Sequence, residues 1–149
     1  MTNPDRSTFD VLVGRWEGNA IVHPNPWGGA GPARTSWHFR WDAASLFLLC
    51  DCRQIRADGS IFSAHGVLGV DPEQGDALWW WFDSYGFPPL DPARGRWDGN
   101  TLLLAKSTVR GTGRTSFHAS GDVLECTIDA RPVGQTDFAA VMSGSFLRA

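Results

Sequence analysis

Lysine is almost missing from this chain: Lys106 is the single one, and the twelve arginines are scattered without forming a basic run. The net charge is −3. Neutralising a phosphate backbone needs clustered Lys and Arg, so nucleic acid is excluded as an expected partner. Long apolar runs are also missing. None approaches the ~20 residues that cross a bilayer, so no membrane partner is expected. Met1 to Phe9 is polar, with Asp5 and Arg6 in place of the apolar stretch of a signal peptide, and the expected location is cytoplasmic. Cysteine is scarce, with only Cys50, Cys52 and Cys126, and an odd count in a cytosolic chain favours free thiols. Cys50 and Cys52 share one face of a strand and lack the spacer of a redox or zinc motif, so they read as small buried hydrophobes.

Reaction signatures are absent as well. There is no Gly-x-Ser-x-Gly elbow, no phosphate-cradling glycine loop and no dinucleotide fingerprint. The histidines His23, His38, His65 and His118 never fall two or four residues apart, so no local metal pair exists. No metal and no cofactor is expected.

What is abundant is tryptophan, eight in 149 residues. Trp usually fills cores or ligand pockets, and eight exceed what one small core requires. With 42% hydrophobic and 19% charged residues the composition is globular, and the length suits one domain over residues 1–149. The excess tryptophan therefore points to a cavity.

Ser7 to Val13 reads as one short helix, capped by Ser7 or Thr8 and stopped by Gly14. After it, alternation at period two runs between turn signals. Strands are expected at Arg15–His23, Arg34–Trp41, Leu46–Arg56, Ile61–Val70, Ala77–Tyr85, Gly95–Trp97, Thr101–Val109, Arg114–Ala119, Val123–Arg131 and Phe138–Arg148. Pro24 to Ala33 is a loop, Ala57-Asp58-Gly59 and Asp98-Gly99 are hairpin turns, and Gly111-Thr112-Gly113 reads as a turn. Nine or ten short strands joined by tight turns form an all-β meander. Such a meander closes most naturally into an up-and-down antiparallel barrel with a short N-terminal helix. A two-sheet sandwich is the alternative, but it needs more long connections than the one or two visible here.

Two segments carry a resemblance. Leu12-Val13-Gly14-Arg15-Trp16-Glu17-Gly18 places a Gly-x-Trp-x-Gly element after the helix. Gly66-Val67-Leu68-Gly69-Val70-Asp71-Pro72 leads into a Trp-rich strand ending at Asp83-Ser84-Tyr85-Gly86, and Gly95-Arg96-Trp97-Asp98-Gly99 follows. In order and spacing these are similar to the bacterial domain of unknown function 1579 family, whose members resemble lipocalin-like, calycin-type barrels. The resemblance implies that Trp16 is a structural plug across the closed end. The start is also similar to that of the nitrobindin-like haem proteins, which hold iron through a histidine near the C-terminus. The last strand here, Phe138 to Arg148, has no histidine.

The sharpest feature is Trp79-Trp80-Trp81-Phe82-Asp83. Trp79, Trp81, Asp83 and Tyr85 share one strand face, and Leu78, Trp80 and Phe82 the other. If the first face looks inward, Asp83 is a carboxylate in an aromatic pocket, able to act as acid or base or to hold a ligand amine or hydroxyl. Trp37, Phe39 and Trp41 form a second aromatic row, and Trp27, flanked by a glycine-rich loop, lies where a lid could sit. His65, between Ala64 and Gly66, has small neighbours that leave room for approach. The expected function is binding of a small hydrophobic or aromatic molecule against Trp37, Phe39, Trp41, Trp79, Trp81 and Trp27. The alternative is a cofactor-free isomerase, cyclase or hydratase in which Asp83 works with His65 or Tyr85. Homodimer formation is left open by the sequence.

Overall fold

The computed structural model describes residues 5–26 and 28–149. Trp27 lies outside the described residues, so its expected place in a lid is not addressed by the structure. A 3-10 helix over Arg6–Leu12 precedes ten strands. These are β1 (Gly14–Val22), β2 (Gly31–Trp41), β3 (Leu48–Ile55), β4 (Ile61–Val70) and β5 (Ala77–Asp83), then β6 (Ala93–Asp98), β7 (Thr101–Thr108), β8 (Gly111–Ser120), β9 (Val123–Pro132) and β10 (Ala139–Arg148). Each strand pairs antiparallel with the next, and β1 pairs with β10, giving the closed up-and-down barrel that the meander implies. Closure removes the sheet edges that would otherwise template aggregation.

Two local expectations need correction. The helix cap is Asp5, not Ser7 or Thr8: Asp5 Oδ1 accepts the Ser7 backbone N–H at 2.9 Å, two or three residues earlier than the apolar pattern suggests. Gly111-Thr112-Gly113 is not a turn but the start of β8, paired with Thr108, Ser107 and Lys106. Gly111 is needed there because β9 comes close. With φ +135°, a Cβ at this position would lie 2.2 Å from the Arg131 carbonyl oxygen.

The two ends of the barrel are built differently. At one end the 3-10 helix buries Phe9 and Leu12 completely and is held by three indoles. Trp16 Nε1 donates to the Leu12 carbonyl at 2.9 Å, Trp41 Nε1 to Asp10 Oδ1 at 2.8 Å and Trp97 Nε1 to Thr8 Oγ1 at 2.8 Å. Arg148, at the end of β10, lies 4.1 Å over the Trp16 ring and donates to the carbonyls of Val13 and Val11 at 2.7 and 3.3 Å. The helix is thereby fixed to β1, β2, β6 and β10. Trp16 is a fully buried plug at this closed end.

At the other end the sheet is partly split. β5 and β6 share only three pairs, from Ala77↔Gly95 to Trp79↔Ala93, so Trp80 to Asp83 run past the start of β6. The segment between them contains Pro88, Pro89 and Pro92, which have no N–H to give a ladder. Sequence chemistry therefore opens the wall of the barrel at this point. Among the described residues no helix is long and apolar enough to cross a membrane.

Candidate functional site

The open end holds two adjoining chambers, of about 330 Å³ and about 120 Å³. Trp37, Trp81, Asp83 and Ile128 line both. The larger is completed by Trp79, Phe117 and Leu104 below and by Phe87, Pro89, Lys106 and Arg110 towards the split wall. The smaller is completed by Val22, Cys52, Gln54, Arg56, Phe62, Tyr85 and Met142.

The orientation of β5 decides this arrangement. Ala77 and Trp79 are buried, while Phe82 is 37% exposed, so the Trp79–Trp81–Asp83 face looks inward. On β4, Ala64, Gly66 and Leu68 also point inward. Gly66 gives Trp79 its place: a Cβ there would lie 2.2 Å from the indole. Trp79 and Trp81 stack with centroids 5.6 Å apart, and Trp81 meets Trp37 at 6.0 Å. Phe117 stands edge-on to Trp37 and Trp79, each at 5.5 Å. The result is a continuous aromatic wall from β5 across to β2, with geometries that suit aromatic pairs.

Three expected site residues lie elsewhere. His65 is on the outer surface, stacked on Phe82 at 4.9 Å, because it is paired with Phe82 in a register that alternates faces. The room left by Ala64 and Gly66 opens on the opposite side of the sheet from His65 and is filled by Trp79. His65 therefore cannot serve with Asp83. Trp41 does share a face with Trp37, but it sits four residues further along β2 and is bonded to the helix. At ~3.3 Å per residue that is roughly 13 Å further along the barrel. Phe39 is fully buried and lies beneath the wall, 6.0 Å from Trp37 and 5.6 Å from Phe117, lining neither chamber.

Asp83 and Tyr85 are brought together, but in an arrangement that holds them still. Asp83 Oδ2 accepts the Trp81 Nε1–H at 3.0 Å and Asp83 Oδ1 accepts the Tyr85 backbone N–H at 3.0 Å. The Tyr85 hydroxyl accepts from Arg56 Nη1 at 2.6 Å. Asp83 thus fixes the rotamer of Trp81 and the chain direction after β5.

Sequence reasoning passed over Gln54 and Arg56. Gln54 is fully buried, and its Oε1 accepts from Arg56 Nε at 3.4 Å and Nη2 at 3.3 Å. The signal was available, since Gln54 continues the inward face that Cys50 and Cys52 mark on β3. Arg56 also lies 4.4 Å over the Phe62 ring. Burial pushes the Cys52 thiol up to about 12, which leaves it an apolar wall group rather than a nucleophile. Among the described residues no cluster of His, Cys, Asp and Glu could hold a metal ion, and none of the four histidines lines either chamber.

One polar group in the wall is unmet. The Trp37 Nε1–H is buried and has no acceptor among the described residues. Such an orphan costs about 1–3 kcal/mol.

Together these features define a closed ten-stranded β-barrel with an aromatic cavity at its open end. No family model matches the chain, and no curated protein matches it. Among solved structures it is similar to the crystal structure of Rv2717c from M. tuberculosis, with a TM-score of 0.72, 18% identity and 96% of each chain covered. It is also similar to the structure of EF1p2_mFAP2b bound to DFHBI, with a TM-score of 0.52, 10% identity, and 97% of this chain and 98% of that chain covered. At these identities the likeness is one of fold.

Proposed function

We propose that this chain binds a small, flat, hydrophobic or aromatic molecule in the open end of the barrel. The observation that carries the reading is the continuous wall of Trp79, Trp81 and Trp37 facing a cavity of about 330 Å³. Concave, mostly apolar pockets with a few fixed polar groups are the usual form of a small-molecule site. The unmet Trp37 N–H supports the same reading, because a ligand acceptor would remove its penalty. The similar barrel EF1p2_mFAP2b was solved bound to DFHBI. The order of glycine and tryptophan motifs along the chain also supports placing it with the domain of unknown function 1579 group.

The acid–base reading is weaker. Both Asp83 oxygens already accept protein N–H groups, and His65 is outside the barrel. The haem ligation implied by the nitrobindin resemblance finds no histidine in either chamber. The test is a titration of tryptophan emission with a panel of flavonoids, lipids and hemin, repeated by calorimetry. Flat aromatic compounds should quench emission in wild type. Trp81→Ala should weaken them by about tenfold, the upper end of what an aromatic pair adds beyond its buried area. A panel with no quenching and no heat in any member refutes the proposal.

A further inference from the structure

We infer that the ligand is an aromatic acid whose carboxylate is held by Arg56 in the smaller chamber while its ring system lies along Trp37 and Trp81. The inference deepens the binding function proposed above and rests on it.

The charge of the cavity comes first. The chain as a whole is at −3, yet its cavity runs the other way. Arg56, Lys106, Arg110 and Arg114 line the two chambers against the single carboxylate of Asp83. Arg114 is neutralised by a bidentate pair with Asp129 at 2.8 and 2.9 Å. Among the described residues Arg56, Lys106 and Arg110 form no ion pair. A site that concentrates positive charge in a negative protein is complementary to an anion.

Arg56 is the cation best prepared to receive it. Lys106 and Arg110 are at the rim: the amine donates to the Asp91 carbonyl at 3.2 Å, and the guanidinium rests 5.0 Å over Phe87. Arg56 is half-buried and fixed from three directions, by the buried Gln54 Oε1, by the Tyr85 hydroxyl and by the Phe62 face. Those bonds use three of the five N–H donors that a guanidinium carries, leaving two without an acceptor among the described residues. A planar fork already locked in place loses little freedom on binding, and its geometry matches a carboxylate.

The surroundings narrow the anion further. The smaller chamber is mainly apolar, with Val22, Phe62, Ile128 and Met142 in its walls, and it holds one cation and the Asp83 carboxylate. A phosphate dianion would meet too little positive charge there, whereas a single carboxylate meets one guanidinium. Trp37 and Trp81, shared by both chambers, join this head site to the larger space, so one ligand can occupy both.

The test compares 2-naphthoate with 2-naphthamide, which have the same ring and differ in charge, by calorimetry at pH 7. Wild type should bind the acid about tenfold or more tightly than the amide, as expected for hydrogen bonds to a charged group. Arg56→Gln should abolish that preference and leave amide affinity within about twofold, while Lys106→Gln with Arg110→Gln should keep most of it. Equal binding of acid and amide by wild type overturns the role of Arg56 and leaves the aromatic pocket standing. Loss of the preference in the rim variant with retention in Arg56→Gln overturns it equally. Binding of neither compound removes the pocket proposal and this inference together. The wild-type comparison needs no variant, so a folding defect in Arg56→Gln does not shield the claim.

Discussion

Replacing Gly66 with alanine perturbs the one position on which the cavity wall depends. The new methyl carbon would lie 2.2, 2.6 and 2.7 Å from three carbons of the Trp79 ring. Carbon atoms rest at ~3.5–4.0 Å, so the indole must recede by about 1.3 Å or more. It has nowhere easy to go, since Trp81 is stacked at 5.6 Å on one face and Phe117 stands at 5.5 Å. Overpacking of this kind costs ~1–3 kcal/mol, and the lost freedom of glycine in the unfolded chain returns ~0.4–1 kcal/mol. A net destabilisation of about 1–2 kcal/mol should follow. For a domain of this size that is a fall in Tm of roughly 3–8 °C. Gly113→Ala is the matched control. It lies on β8 in the larger chamber, its added Cβ would meet nothing within 4 Å, and its φ is unstrained, so it should be neutral or stabilise by up to ~1 kcal/mol. Urea unfolding followed by tryptophan emission measures both, and near-UV circular dichroism reports whether the stacked indoles have moved. If Gly66→Ala matches wild type in stability and spectrum, or if the two glycine variants shift in the same direction, Trp79 does not lie over Gly66 and the wall is built otherwise.

The buried thiols make a second test. Desolvation raises Cys50 and Cys126, and takes Cys52 from 9.0 to about 12. At pH 8 an aromatic disulfide reagent should therefore react with none of them in the folded protein and with all of them in urea. The unfolded chain loses these protons first, so the contribution of Cys52 is fully present below about pH 9 and is lost as pH rises towards 12. The loss is about 1.4 kcal/mol per pH unit, and urea midpoints that do not fall between pH 9 and 10.5 would contradict it. At the closed end, Trp16→Phe keeps a ring but leaves the buried Leu12 carbonyl without its donor, at a cost of about 1–3 kcal/mol. Trp41→Phe removes an exposed bond to Asp10 and should cost less in the same urea assay, about 0.5–1.5 kcal/mol.

The barrel itself was legible because its signals are local. Period-two alternation and the Asp58-Gly59 and Asp98-Gly99 turns mark consecutive antiparallel strands, which pair locally; the β1–β10 seam alone joins distant segments. The site was less legible because its decisive facts lie across strands. In β5 both faces are apolar, Leu78, Trp80 and Phe82 against Trp79 and Trp81, so no periodicity argument selects the inner one. The partner strand selects it, since Ala64 and Gly66 leave an indole-sized space on one side only. His65 was misread for the same reason: small residues beside it in sequence point away from it in a sheet. Arg56 escaped notice because it follows β3 at the entrance to a hairpin, where an exposed arginine is ordinary. The buried Gln54, the loop carrying Tyr85 and the Phe62 ring turn it back towards the cavity.

The surplus of tryptophan that first suggested a pocket has two separate causes. Trp16, Trp41 and Trp97 share one task, in which each gives its indole N–H to the 3-10 helix. A seven-residue helix cannot hold itself together in water; it closes the barrel because Phe9 and Leu12 are buried in the core and these donors and Arg148 bind it to four strands. Trp37, Trp79 and Trp81 share the other task, and their polar atoms are treated differently. Trp81 is bonded to Asp83, which aims its ring, whereas the Trp37 N–H is left without an acceptor. Among the described residues the buried side-chain nitrogens left without a partner are Trp37 Nε1 and His23 Nε2, and of these Trp37 alone lines the chambers. The Trp37 ring lines both chambers, the smaller of which also holds the Arg56 guanidinium and the larger of which reaches Pro89 at the split in the sheet. A ligand with acceptors on a flat body answers each of these features at once.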